Sequence, residues 1–202
     1  RSRPLAEKTA METTLRVDVA LVHYPVVSRI GETIGSAVTN LDLHDIARAG
    51  RTFGVTTYWV ITPFREQQEL ADQIVGHWTD GPGGRTNPDR SDALSIIRVC
   101  AGLDEALAGA TAHYGVRPWV LATCARRQDN TIGFAAARER IWQGEPVLLL
   151  LGTAWGLAPE ILAGADGVLP PISGVTGFNH LSVRSAAAII FDRLLGEAPG
   201  AV

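Results

Sequence analysis

From Arg16 to Leu195 short apolar runs alternate with longer stretches whose apolar positions recur at helical spacing. The runs Arg16–Tyr24, Val55–Thr62, Ser95–Cys100, Arg117–Ala125, Pro146–Thr153 and Gly167–Ile172 predict strands, being rich in β-branched and aromatic residues. Between them, Leu41–Gly54, Arg65–Trp78, Leu103–Gly115, Ile132–Gly144, Ala158–Gly164 and the segment from Leu181 predict helices. Thr79–Asp92, crowded with Gly, Pro and Asp, predicts a loop. The run Pro146–Thr153 is apolar at successive positions, so both its faces are buried, as in the centre of a parallel sheet.

Strands separated by helices predict an α/β fold: an open, mostly parallel sheet with helices on both faces. No repeat and no second composition regime appear after Arg16, so residues 15–197 are expected to form one domain. Residues 1–14 are expected to be a tail or linker, and 198–202 a tail. Open α/β sheets bind ligands beyond the carboxyl ends of their strands. That directs attention to the loops after Tyr24, Thr62, Cys100, Thr123, Leu151 and Ile172.

Composition narrows the classes. The net charge of −3 supplies no global field for nucleic acid, although Lys8 is the sole lysine and every other cation is an arginine, whose fork suits phosphate. Cys100 and Cys124 lie in apolar runs without metal-ligand spacing and are expected to be buried thiols. No apolar run approaches the roughly 20 residues of a membrane span. A cytoplasmic protein with no bound metal and no membrane partner is the expectation.

Four stretches carry candidate chemistry. In "LLLLGTAWGLAPEIL", Leu151, Gly152, Thr153 and Gly156 turn a buried strand into a helix, and glycine there lets backbone approach a ligand. The stretch fits neither GxGxxG nor GxxxxGK[ST]. In "LPPISGVTGFNHLSVRSAAAII", polar residues crowd the mouth of a helix whose continuation is apolar, with Asn179 or Ser182 as possible caps. In "NLDLHDIARAGRTFGV", Arg48 lies two turns into an amphipathic helix, where pairing with Asp42 or Asp45 would be an ordinary surface role. "ATCARRQDNTIG" places Arg126, Arg127 and Asp129 just past a strand.

Taken in order, these stretches resemble the SPOUT, or α/β-knot, superfamily of RNA methyltransferases over roughly Val17 to Leu195. "LLLLGTAWGL" looks like the second motif of a branch found beside or fused to tRNA (guanine-N1) methyltransferases, and "LPPISGVTGFNHLSVRSAAAIIFDRL" like its third. "NLDLHDIARAGRTFGV" resembles the first motif, in which an asparagine, here Asn40, precedes an arginine, here Arg48. The resemblance implies a C-terminal trefoil knot, a homodimer, and S-adenosylmethionine as cofactor with S-adenosylhomocysteine as product. It implies cofactor contacts from Ala122, Thr123, Leu151, Gly152, Thr153, Gly156, Leu169, Ile172, Gly177, Asn179, Leu181, Ser182 and Ser185.

A sulfonium methyl is already activated, so no metal is required; the protein must align the acceptor and handle its proton. The resemblance makes Arg48 the catalytic arginine. Arginine does not act as a base, so it would bind phosphate or a developing oxyanion. Asp129 and His180 are alternative proton acceptors, a histidine's ordinary pKa suiting proton transfer. The expected activity is methyl transfer to a base nitrogen or ribose 2′-oxygen of tRNA or rRNA. The alternatives are a SPOUT-fold module that binds cofactor or RNA for a partner enzyme, and an unrelated nucleotide-using α/β enzyme.

Overall fold

A computed structural model describes residues 15–197 of the chain. The expected tails, 1–14 and 198–202, lie outside the described residues. Six strands form one parallel sheet: β1 (Val17–Val22), β4 (Thr57–Ile61), β5 (Ile97–Cys100), β6 (Trp119–Thr123), β7 (Val147–Gly152) and β8 (Gly167–Leu169). Their order is β5-β4-β1-β7-β6-β8. β1 and β7 therefore lie side by side in the centre, and the chain builds outward on either side of them.

Period-two alternation sends successive residues of these strands to two cores. Val17, Val19 and Leu21 of β1 and Val147, Leu149 and Leu151 of β7 enter one core. Ala20, Val22, Leu148 and Leu150 enter the other. The first core is closed by α1 (Asn40–Thr52), α2 (Arg65–Thr79), α6 (Phe134–Trp142) and α8 (Val183–Leu195). The second is closed by α5 (Leu103–Tyr114) and α7 (Pro159–Gly164). Helices thus cover both faces, as the apolar pattern of Pro146–Thr153 predicts.

Asp18 shares the second face yet is fully buried. Trp59 Nε1 donates to it at 2.8 Å and the Tyr114 hydroxyl at 2.7 Å. Burial raises the Asp18 pKa, and these two hydrogen bonds oppose the rise.

Two segments depart from the expectation. Thr79–Asp92 is not a loop: it holds α3 (Pro82–Thr86) and most of α4 (Pro88–Leu94). Each begins with proline, which suits the first helical turn as well as it suits a turn. Asn87 caps α4 by accepting from Arg90 N at 3.0 Å. The second departure is a small antiparallel hairpin, β2 (Val26–Val27) with β3 (Thr33–Ile34). Two-residue strands are too short to leave a periodicity in the sequence.

Candidate functional site

The chain reverses its direction of building between β1 and β7, and loops from both halves diverge there. A cavity of about 940 Å³ opens at this point. Its walls come from the hairpin and the segment after it, the start of α1, the loops after β6, β7 and β8, and the mouth of α8. Open α/β sheets bind ligands at such switch points, and the volume lies in the usual range for small-molecule sites.

The loop after β7 is held tightly. Thr153 N donates to Val22 O at 3.4 Å, and Gly156 N to Thr153 O at 2.9 Å. Trp155 N donates to Val27 O at 3.1 Å, and Val27 N to Gly156 O at 3.0 Å, which ties the turn to the hairpin. Ala154 has φ of 51° and Gly156 of 112°, so the turn includes a residue in the strained left-handed region. A Cβ on Gly152 would lie 2.6 Å from Leu157 N and 2.9 Å from Gly156 C. Glycine is required there to close the strand-to-helix turn, whatever further use its bareness has for a ligand.

Several polar groups at the mouth of α8 tie it to neighbouring segments. Ser182 is the N-cap, its Oγ accepting from Ser185 N at 3.3 Å. Asn179 Nδ2 donates to Ala125 O at 3.0 Å, joining this segment to the loop after β6. Arg184 reaches α1, 3.3 Å from Asp42 and 3.6 Å from Asp45. Asp42 also accepts from Thr39 Oγ1 at 2.6 Å, within the N-cap of α1. Past this turn, Ala187, Ile190, Phe191 and Leu194 are buried. The helix begins in a polar site and ends in the core.

Of the expected site residues, Thr123, Leu151, Gly152, Thr153, Gly156, Leu169, Ile172, Asn179, His180, Leu181 and Ser182 line this one cavity. Ala122 is buried within the sheet, paired with Leu150 and Val168. Gly177 is exposed, and neither residue lines the cavity. Ser185 and Arg48 line a separate dent of about 420 Å³ between α1 and α8. Asp129 is exposed and lines neither. The anticipated partners of Arg48, Asp42 and Asp45, are taken by Arg184 instead.

Sequence reasoning passed over several wall residues. Ser36, Thr39, Asp42, Trp155, Arg29 and Arg184 line the cavity. Their one signal was position, in or beside the loops after Tyr24, Leu151 and Ile172. Trp155 is half exposed and meets the His180 ring edge-on at 5.0 Å, with Phe178 6.1 Å beyond. Arg29, Arg126 and Arg184 line the cavity together with one carboxylate, Asp42. Cys124 is half-buried rather than buried; it lines the cavity, and its Sγ accepts from Arg126 N and Gln128 Nε2 at 3.4 Å each. Burial pulls the His23 pKa down to about 4, against the nearby charge of Asp42.

A parallel sheet with a mixed polar and aromatic cavity over its switch point defines an α/β protein that binds a small organic ligand beside a cationic rim. Residues 16–196 match the SAM-dependent RNA methyltransferase family, and the chain belongs to that family. Its cofactor is therefore S-adenosylmethionine. The chain is 50% identical over 179 residues to the tRNA (guanine-N(1)-)-methyltransferase of Oleidesulfovibrio alaskensis, covering 89% of this chain and 42% of that protein. It thus spans about two fifths of the length of that relative. It is 35% identical over 182 residues to an uncharacterized Aquifex aeolicus protein, covering 90% of this chain and 89% of the other.

Among solved structures it is similar to TrmJ from Z. mobilis, with a TM-score of 0.59 at 18% identity, covering 91% of this chain and 70% of that one. It is also similar to the SpoU methyltransferase AviRb from Streptomyces viridochromogenes in complex with AdoMet, with a TM-score of 0.54 at 14% identity, covering 95% and 62%. The resemblance to S-adenosylmethionine-dependent RNA methyltransferases read from the motifs is borne out by the family match, and these solved structures share the fold.

Proposed function

We propose that this chain transfers a methyl group from S-adenosylmethionine to tRNA, releasing S-adenosylhomocysteine. The observation that carries the reading is the single cavity into which eleven separately expected residues converge, in a chain whose family is shown over residues 16–196. Guanine N1 is the first acceptor to test, because a relative bears that activity in its name; a ribose 2′-oxygen is the second. The half-exposed Trp155, the exposed Phe178 and the lining arginines support an RNA partner, since bases stack on aromatic faces and phosphates pair with arginine.

The wall groups fit the cofactor. The turn after β7 brings backbone close to the cavity, and the carboxylate of Asp42 suits a cationic ligand. Bound there, S-adenosylmethionine supplies a methyl group that needs no metal for activation. The loops after β6, β7 and β8 hold it, and the aromatic rim excludes water from the acceptor. His180 takes the acceptor's proton, as the one expected reacting side chain that lines the cavity. Asp129 reaches the site only if its loop moves.

Three further parts belong to the same reading. The segment after β8 passes beneath the loop after β6 as a trefoil knot; the Asn179–Ala125 bond and the bonds joining Asn130 and Ile132 to Val168 support this threading. The protein is a homodimer through α1 and α8, an arrangement supported by exposed Leu41 and Leu181 and by an Arg48 that no acid among the described residues holds. A second copy then carries Arg48 to the acceptor side of the site. The protein acts in the cytoplasm, where its substrate is.

One observation favours a non-catalytic cofactor- or RNA-binding module: Arg48 and Asp129 both lie outside the cavity. Labelled S-adenosylmethionine with unmodified tRNA, followed by nucleoside mass spectrometry, separates the two. A methylated nucleoside formed by the wild type supports the enzyme. Tight cofactor and tRNA binding without any label in RNA overturns it in favour of the module.

A further inference from the structure

The wall of the cavity beside the hairpin carries a chain of hydrogen bonds whose direction can be deduced. Thr153 Oγ1 lies 3.0 Å from the carbonyl oxygen of Val22. A carbonyl only accepts, so the Thr153 hydroxyl proton is committed to it. Ser36 Oγ lies 2.5 Å from Thr153 Oγ1, and with the threonine proton already used, Ser36 must donate. His23 Nδ1 lies 3.0 Å from Ser36 Oγ, and with the serine proton used in turn, the ring must donate. The 3.5 Å approach of Ser36 Oγ to the His23 carbonyl is a weaker claim on the same proton.

This order fixes the histidine as the Nδ1–H tautomer. It leaves Nε2 with a bare lone pair, and Nε2 is the ring atom that is buried with no hydrogen-bond partner among the described residues. The fold tolerates that unpaired acceptor in a fully buried ring, a cost of the kind that persists where the group has another task. The result on the cavity side is a polarity. Ser36 and Thr153 both line the cavity, and neither hydroxyl retains a proton to offer it. Each retains a lone pair.

We propose that Ser36 and Thr153 form a paired acceptor site for an N–H or O–H donor of the bound cofactor, with His23 as the positioning residue that locks its polarity. The proposal rests on the reading of this cavity as the S-adenosylmethionine site. Two donors of that molecule fit, the ammonium of its methionyl part and a ribose hydroxyl. Asp42, a lining carboxylate whose charge is felt at His23, adds to the acceptor character of the same wall. A ligand group that only accepts would meet lone pairs here and be rejected.

Calorimetric titration of S-adenosylhomocysteine tests this. Thr153→Val keeps the shape, removes the acceptor and frees the Ser36 proton to point at the ligand's donor. Affinity is expected to fall about tenfold or more, while Thr153→Ser stays within about threefold of wild type. His23→Leu is expected to weaken binding severalfold. His23→Asn is expected to recover most of it, because its amide nitrogen stands where Nδ1 stood; a purely structural role predicts no such rescue.

Repeating the Thr153→Val titration with 5′-methylthioadenosine identifies the donor. A loss that disappears assigns the ammonium, and a loss that persists assigns the ribose; either supports the site. Folded Thr153→Val, or Ser36→Ala at its half-buried position, binding S-adenosylhomocysteine as tightly as wild type overturns the paired acceptor site alone. Wild-type protein that does not bind S-adenosylhomocysteine overturns both this proposal and the reading beneath it.

Discussion

Adding one carbon to Gly152 separates two reasons for a glycine at that place. Built on the existing backbone, the new Cβ of Gly152→Ala would lie 2.6 Å from Leu157 N, 2.9 Å from Gly156 C and 3.0 Å from Leu157 Cγ. Two of these neighbours are backbone, so the turn itself must open by several tenths of an ångström. It is not free to do so: Gly156 N and O are bonded to Thr153 and Val27, and Leu157 bridges to Val26. Overpacking of this kind costs roughly 1–3 kcal/mol, and loosening one of the bonds adds about 1 kcal/mol.

A total near 3 kcal/mol lowers the melting temperature of a domain this size by about 9 °C. Scanning calorimetry of ligand-free Gly152→Ala is the assay, with Gly164→Ala as control, since a Cβ at Gly164 meets nothing within 4 Å. The control should melt within about 2 °C of wild type. A Gly152→Ala protein that melts like wild type and loses only cofactor affinity would refute the turn-closure argument and restore the view that the space belongs to the ligand.

Three other perturbations have defined outcomes. Arg48→Ala should cut methyl transfer about a hundredfold while leaving S-adenosylhomocysteine affinity within about twofold, because Arg48 stands outside the cavity; parallel losses in both would place it on the cofactor. Asp18→Ala strands the Trp59 and Tyr114 donors and should destabilise by about 3 kcal/mol in urea unfolding, Asp18→Asn by less; an unchanged midpoint for Asp18→Ala would refute it. His23 is held neutral in the fold, its pKa lowered from 6.5 to about 4, while the unfolded chain takes a proton near 6.5. Stability is therefore undiminished by this group above pH 6.5 and falls between 6.5 and 4, by up to roughly 3 kcal/mol. The raised pKa of Asp18 works in the opposite sense as acid is added. His23→Asn should flatten the profile, and wild-type and variant curves of the same slope over that range would contradict the buried neutral ring.

The strands and long helices were legible because each repeats a period long enough to recognise. Val147–Gly152 shows both its faces as apolar, and Val183–Leu195 shows a stripe. α3 and α4 were not, since Pro82 and Pro88 mark a helix start and a turn alike. The loops over the strand ends identified much of the cavity wall, Thr123, Thr153 and Asn179 among it. Its other side was hidden for a different reason. Ser36 and Asp42 reach the cavity only because β1 pairs with β7, and nothing local in "GETIGSAVTNLD" records that pairing. The committed protons of His23, Ser36 and Thr153 likewise exist only between residues far apart in sequence.

The central pairing also sets an order on how the protein comes into being. Val17 leaves the ribosome well before its neighbour Val147, which follows only after most of the domain has been synthesised. β1 can pair with β4, and β4 with β5, in the meantime, leaving the other edge of β1 open to solvent. An open strand edge is a template for unwanted association until it is covered. The walls of the cavity come from both sides of that late seam, so the binding site forms only when the seam closes. Cofactor present during synthesis or refolding would bind only chains that had closed it, drawing the population away from the half-built sheet in which aggregation begins.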